Sequence, residues 1–418
     1  MRTPRAASGS VLTVVLRVLV AAVGLGYVAF SLNWHDRVLI AAGQRLPDGT
    51  SLSEELAARV VAGVVYVNRP SRDLEVEVLL ASGQTARMSV AEAVLDERGD
   101  FRAEPGVLAM FRQSRVSYLV LGFLAILPLF PVQVVRWRML LKARGLPHEL
   151  GRVFKLCMAG SFFNLCLPGT TGGDVVKAYY AARGSGRRTE AVMSVLFDRV
   201  TGLVSLIILG GISGLFVLWN PVGRWVTMLI WAGLAALGLA TGLYFSGRIR
   251  QRVGATTTRL MDRLPGRSAL RKVDAAAVAY RRHPRTLVAA VLVSLPGHVA
   301  CVSSAALAGY ALGMDAPYGL LLTVIPVLML GGAMPFTYQG LGVMEAMGGA
   351  LLVDPPGVFF NQIAGMLLMY RVYLILYGLC GAVWVLRGDI DLHVPEADED
   401  PGASGPASVP ATGAPVTG

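Results

Sequence analysis

Charge is scarce in this chain. Only 16 % of its 418 residues are Asp, Glu, Lys or Arg, against about 25 % in an ordinary soluble domain. Apolar residues make up 54 %, and the mean hydropathy is +0.57. A chain this long and this apolar cannot hide its side chains in one water-soluble core. That excludes a soluble enzyme and a disordered protein, and it points to a polytopic membrane protein. Lysine is scarcer still: 34 of the 38 basic residues are Arg, the bias a GC-rich genome leaves. Cysteine is rare too. Cys157, Cys166, Cys301 and Cys380 all stand in apolar stretches, none at metal-ligand spacing. They read as packing inside the membrane, not as disulfides or a metal centre. No G-x-x-x-x-G-K-[ST] loop, Ser–His–Asp set, H-E-x-x-H or C-x-x-C occurs, so ATP hydrolysis by that loop and the common hydrolytic and redox chemistries lack support. No cofactor and no metal site is expected. Asp389-Ile-Asp391 stands alone at the start of a polar tail.

What is present is apolar runs and unevenly placed charge. Uncharged or nearly uncharged runs predict spans at 11–32, 116–135, 192–218, 224–246, 286–311 and 358–386. Two further apolar segments, 151–183 and 318–352, are broken by Pro and Gly. Residues 33–110 carry eight Arg against twelve acids, a net of −4. Leu74 to Leu80 alternates like a strand, Ser82-Gly83-Gln84 reads as a turn, and Thr85–Val90 can pair back as a hairpin. Ser51 to Ala62 reads as a short helix. A small α+β insert is predicted here, outside the cytoplasm. The loop 136–155, counted from Arg136, has a net of +5, and the loop 247–285 a net of +9. The positive-inside rule places both in the cytoplasm. It also accounts for the overall +11 without nucleic acid as a partner. Basic residues among apolar ones in 247–285 suit a segment lying on anionic lipid. Residues 389–418 read as a disordered cytoplasmic tail.

The charges also constrain topology. With the N-terminus inside, a full crossing by 151–183 would put the basic run Arg183 to Arg188 and the +9 loop outside. A re-entrant hairpin keeps both inside, and the same counting makes 318–352 a hairpin from the outer side. The fold class is therefore all-α, with six transmembrane helices, two re-entrant hairpins and the α+β insert. The hairpins resemble each other. Pro168, Thr170, Gly173 and Val176 match Pro335, Thr337, Gly340 and Val343 at an offset of 167, and Arg199-Val200 matches Arg371-Val372 at 172. The unit of span, broken hairpin, span thus occurs twice, at about 116–218 and 286–388, in inverted orientation. Broken backbone at membrane depth must be buried in protein or line a wet cavity. Matched breaks in two halves point to a substrate site between them. The helix restarting after each break offers free N–H groups to an anion. The simpler alternative is a pair of kinks that help the spans pack.

Few charges fall inside the apolar segments. Asp174 and Lys177 follow the first break, Asp198 and Arg199 open the next span, Glu345 follows the second break and Arg371 lies mid-span. A charge at the bilayer centre costs about 2.5–3.5 kcal/mol on insertion scales, so each needs a partner. Glu345 is the economical partner for Arg371, and Asp174 is one choice for Arg199. Candidate headgroup ligands are Lys177, Arg199 and Arg371, with Asp174 and Glu345 balancing them or carrying protons; the simpler alternative is structural ion pairs that hold each hairpin to its span. Asn164, Pro168, Thr170 and Gly173 at the first break, and Thr337, Tyr338, Gln339 and Gly340 at the second, complete the candidate set. His298 reads as a packing histidine.

The run from Phe162 through Asn164, Pro168, Gly173, Asp174 and Lys177, the block Asp198-Arg199-Val-Thr-Gly202, and Pro335 through Gly340, Gly342 and Glu345 together resemble a known family. It is the lysylphosphatidylglycerol synthase transmembrane-region family, the flippase-like membrane half of the multiple peptide resistance factor. The resemblance covers about 112–388. It implies an integral protein of the bacterial inner membrane that moves lipids between leaflets. The implied substrate is an anionic phospholipid or a polyprenyl-phosphate-linked lipid. The alternative is a membrane-embedded glycolipid-assembly transferase or its accessory subunit. Family members often carry Glu where Asp174 and Asp198 stand and Arg where Lys177 stands, which keeps the charges. The full synthases have an aminoacyl-transferase domain that this sequence lacks, so lysyl transfer is not implied. A homo-oligomer or a cell-envelope biosynthesis partner is left open.

Overall fold

The computed structural model describes residues 23, 26–40, 56–62, 75–79, 85–89, 103–166, 172–183, 185–245, 283–333, 338–353 and 358–387. The polar region near the N-terminus contributes a five-stranded antiparallel sheet. Its strands are β1 (Arg37–Ile40), β2 (Leu56–Ala62), β3 (Glu75–Leu79), β4 (Thr85–Ser89) and β5 (Ala103–Glu104), in the order β4-β3-β2-β1-β5. β3 and β4 pair from Leu79 opposite Thr85 to Glu75 opposite Ser89. The helix expected to end at Ala62 is a strand instead. β2 pairs with β1 on one side and β3 on the other. A strand flanked on both sides gains two ladders that its local sequence does not reveal, and Val60 and Val61 suit it. Residues 51–55 lie outside the described residues.

One side chain ties both ends of this insert to the helices. Asn361 Nδ2 donates to the carbonyls of Asn33 (2.9 Å) and Pro105 (3.0 Å), and its Oδ1 accepts from the Asn33 N–H (3.0 Å). Gly106 N donates to Asp36 Oδ1 at 2.6 Å beside it.

The helices that follow are α1 (Val107–Arg112), α2 (Val116–Ala125), α3 (Leu129–Ala143), α4 (Leu150–Cys166), α5 (Gly172–Ala182) and α6 (Arg188–Gly214). After them come α7 (Pro221–Phe245), α8 (Pro284–Ala311), α9 (Tyr318–Gly332), α10 (Val343–Leu352), α11 (Phe360–Cys380) and α12 (Ala382–Leu386). Among the described residues, five stretches are long and apolar enough to cross a membrane: Val116–Ala143, Arg188–Gly214, Pro221–Leu239, Pro284–Ala311 and Phe360–Leu386. They coincide with five of the six predicted spans. Of the first, 11–32, only residues 23 and 26–32 are described, and 26–31 are helical. The predicted lipid-surface loop (beyond its last three residues) and the tail lie outside the described residues.

The two broken segments form helical pairs, α4 with α5 and α9 with α10. At ~1.5 Å per residue, no arm of either pair reaches across a ~30 Å hydrocarbon core. The two halves share one packing scheme. α3 packs on α4, α4 on α5, α5 on α6, and α3 on α6; likewise α8 on α9, α9 on α10, α10 on α11, and α8 on α11. The halves also interlock, since α4 packs on α11 and α9 on α6. At the α6–α9 crossing, Ser213 Oγ donates to the Leu322 carbonyl (3.0 Å), and Thr323 Oγ1 donates to Ser213 (3.2 Å). Such hydroxyl contacts hold helices together where lipid offers no hydrophobic drive.

Two of the interior clusters lie at the helical pairs. Trp137, Leu141, Val153, Leu156 and Ala181 surround the first pair, and Leu320, Leu321, Val324, Ile325 and Leu328 line the second. The outer face is apolar as well, with Phe216, Trp219, Trp225, Leu229 and Leu239 exposed. A patch of that kind needs a covering, and a bilayer supplies one.

One boundary differs from the expectation. The predicted basic loop starting at Arg136 begins inside a helix, because α3 runs on to Ala143. Arg136 is buried. The apolar run Met139-Leu140-Leu141 after it keeps the helix in the core, so Arg136 is an interior charge and not a loop charge.

Candidate functional site

At the first break, α5 restarts with Gly172-Gly173-Asp174. Its backbone lies so close to α4 that a Cβ on Gly173 would run into the Gly160 carbonyl. The Gly173 N–H, one of the donors a helix start leaves open, is taken by Asn164 Oδ1 at 2.8 Å. The glycine allows the approach, and the asparagine closes the break.

Five charged residues gather around this point. Arg136 Nε on α3 donates to Asp198 Oδ1 on α6 at 2.7 Å, and its Nη1 donates to Ser294 Oγ on α8 at 3.0 Å. Lys177 on α5 reaches the other oxygen of Asp198 at 3.5 Å. Its ammonium also sits over the Trp137 ring, 4.5 Å from the centroid, a cation–π contact that gains strength away from water. Trp137 is itself held by a hydrogen bond from Nε1 to Ser194 Oγ (3.2 Å). Arg199 Nε on α6 pairs with Asp174 Oδ2 on α5 at 2.5 Å. Together with Asn164, Cys157, Gly160, Ser161, Gln133 and His298, these five charges line a cavity of about 270 Å³. Leu129, Val132 and Leu203 form its apolar part.

The second break is built differently. Gln339 (φ 50°), Gly340 (71°) and Gly342 (84°) all sit in the left-handed region. That conformation suits glycine and is costly for the glutamine. α10 then starts with Glu345 capping it: Glu345 Oε2 accepts from Gly342 N at 2.8 Å. Arg371 on α11 grips the same carboxylate with both terminal nitrogens, Nη1 to Oε1 and Nη2 to Oε2 (3.3 Å). Its Nε reaches the Gln339 carbonyl at 3.4 Å. One guanidinium therefore fastens the break to the following span.

The two halves carry one device at matched places. The acid is the third residue of the restarting helix, Asp174 in α5 and Glu345 in α10. The arginine follows 25 residues on in one half and 26 in the other. This equates Asp174 with Glu345, four residues away from the register that matches Pro168 to Pro335. The pairs differ in exposure. Arg199 and Asp174 side chains are 36 % and 18 % accessible, whereas Arg371 and Glu345 are 7 % and 3 %. The first lies open to the cavity and the second is closed.

Residues 105–381 match the family described as "Lysylphosphatidylglycerol synthase TM region". The match takes in every charged residue of both breaks and more than half of the chain. The chain belongs to this family. A "UPF0104 membrane protein" of Methanothermobacter thermautotrophicus is also similar, 24 % identical over 166 residues. That stretch is 38 % of this chain and 47 % of the relative, so it spans about half the relative's length. The shared membrane region of this family thus contains both breaks, while β1 to β5 precede the matched residues.

The structure brings together Asn164, Gly173, Asp174, Lys177 and Arg199 at the first break, and Gln339, Gly340, Glu345 and Arg371 at the second. The cavity lining includes none of the second group. Tyr338 opens the 3₁₀ turn Tyr338–Gly340. Pro168, Thr170 and Thr337 lie outside the described residues. The candidate set left out Arg136, Trp137 and Ser294, and also Asp198, read only as an interior charge, and His298, read as a packing histidine. The available signal for Arg136 was its Trp137 neighbour and the apolar run beyond. Of the four cysteines read as interior packing, Cys157 and Cys301 are buried, but Cys166 and Cys380 are exposed. Each of those two closes a helix on its outward side.

Proposed function

We propose that this protein is a lipid translocase of the bacterial inner membrane, without an ATPase of its own. It moves an anionic lipid, a phospholipid or a polyprenyl-phosphate-linked one, between leaflets. The observation that carries this reading is the unequal pair of breaks. One opens its acid–arginine pair to a charged cavity, and its counterpart in the other half is sealed. A carrier that exposes matched sites in turn has this form. The headgroup enters beside Asp174, Lys177 and Arg199, and the acyl tails remain against the apolar wall and the bilayer. Glu345 and Arg371 form the corresponding site, closed in this state. The two helical pairs are re-entrant hairpins of an inverted repeat, the sixth span is 11–32, and both termini are cytoplasmic. The sheet lies on the outer side, where it meets a partner or preselects the substrate.

The test is a leaflet-accessibility assay in proteoliposomes carrying a labelled anionic phospholipid. Wild-type protein is expected to speed exchange over protein-free vesicles. Arg371→Ala is expected to lose at least tenfold of that gain. Equal rates for the two proteins, across several lipid classes, would overturn the proposal.

A further inference from the structure

The cavity at the first break is not electrically neutral. Its lining holds three permanent cations, Arg136, Lys177 and Arg199, against two carboxylates, Asp174 and Asp198. Asp174 is matched by Arg199, but Asp198 answers two cations at once, Arg136 at 2.7 Å and Lys177 at 3.5 Å. The shorter, better-directed bond belongs to Arg136. Lys177 is left with a long ion pair and an aromatic face, and an ammonium has three donors to place. It is nevertheless buried. Buried charge of this kind calls for a counter-charge. A second polar atom lies in the same cavity: the Nε2 atom of His298 is buried and has no hydrogen-bond partner among the described residues, and it donates in the tautomer that places the ring proton there.

Resting on the translocase reading, we infer that this cavity selects a phosphate diester bearing a single negative charge. Its phosphoryl oxygens take the surplus charge of Lys177, and the Nε2–H tautomer of His298 adds a hydrogen bond. A zwitterionic headgroup brings no net charge to cancel the surplus. A diphosphate brings too much and would meet Asp174 and Asp198 with uncancelled repulsion. Size agrees with a headgroup alone. The cavity, about 270 Å³, falls just under the ~300–1,000 Å³ typical of whole drug-sized ligands, so the tails must stay outside it.

The full-length protein in nanodiscs, analysed by native mass spectrometry, tests this. Phosphatidylglycerol, phosphatidylethanolamine and a polyprenyl diphosphate are added at equal mole fraction. Water-soluble glycerophosphoglycerol forms a separate arm. Phosphatidylglycerol is expected to be retained at least tenfold over the other two lipids. Its loss on adding excess glycerophosphoglycerol would show that the diester alone is recognised, and its retention that the lipid body is also needed. Lys177→Gln is expected to cut phosphatidylglycerol retention about tenfold. This variant leaves Asp198 paired with Arg136, so it strands no carboxylate. His298→Phe, which removes the donor, is expected to lower retention severalfold and serves if the first variant does not fold. Equal retention of phosphatidylglycerol and phosphatidylethanolamine, preference for the diphosphate, or wild-type retention in both variants would overturn the inference. Leaflet exchange is read separately. Selective retention without exchange would sink the translocase reading and spare the site, and exchange without headgroup preference would do the reverse.

Discussion

Asp198 and Glu345 answer the same problem in different surroundings. Each is a carboxylate beneath the protein surface, and each is neutralised by arginine. Glu345 meets one guanidinium with both oxygens, whereas Asp198 divides its oxygens between Arg136 and Lys177. Removing one partner from a buried pair leaves an uncompensated charge, which costs about 3–5 kcal/mol. Glu345→Gln is therefore expected to lower stability by about that amount, read as a shift in chemical unfolding in detergent. Glu345→Gln combined with Arg371→Gln should recover part of the loss, because no charge is then stranded. A double mutant no more stable than Glu345→Gln alone would contradict the pairing. Arg371 was legible from the sequence: it lies deep in an apolar run, and Glu345 beside the second break was its economical partner. Arg136 was not, because it stands where an apolar run gives way to basic residues. Charge counting treats such a residue as solvent-facing, and only the packing of α3 on α6 shows otherwise.

The helical pairs depend on close backbone contact. α4 and α5 meet at Gly160 and Gly173, where no side chain fits. Gly173→Val should push α5 away from α4 and carry Asp174 and Lys177 with it. The expected result is loss of the cavity, seen as loss of co-purified lipid and a lower melting temperature. An unchanged melting temperature would show that the two helices can part freely. At the insert, Asn361 supplies three of the bonds that join the sheet's ends to α11. Leaving buried backbone groups unpaired costs about 1–3 kcal/mol each. Asn361→Ala should therefore speed hydrogen exchange at Asn33 and Val107 while leaving α6 unchanged. The long apolar helices and the β3–β4 hairpin could be read from local pattern. β2 could not, since its identity comes from β1 and β3 on either side of it. The matching of Asp174 to Glu345 was hidden for a related reason. The Pro and Gly letters align in one register and the ion pairs in another, and only the pairs report which residues occupy equal places.

For the whole molecule, the packing scheme carries the argument. The first helix of each broken pair packs on the last long helix of the other half, α4 on α11 and α9 on α6. The proposed translocation would couple the two breaks through these contacts. If the proposed orientation holds, cysteines placed singly at Ser82 and at Ser268 in a cysteine-free background should react with an impermeant reagent from opposite sides of the membrane. Labelling of both from one side would contradict it.

The central claim is that both breaks serve one lipid path. Leaflet exchange in proteoliposomes, compared among wild type, Arg199→Ala, Arg371→Ala and the double variant, tests it most directly. The expected result is that each single variant falls to the protein-free rate and that the double variant falls no further. Wild-type exchange no faster than protein-free vesicles, or losses from the two variants that merely add, would contradict it.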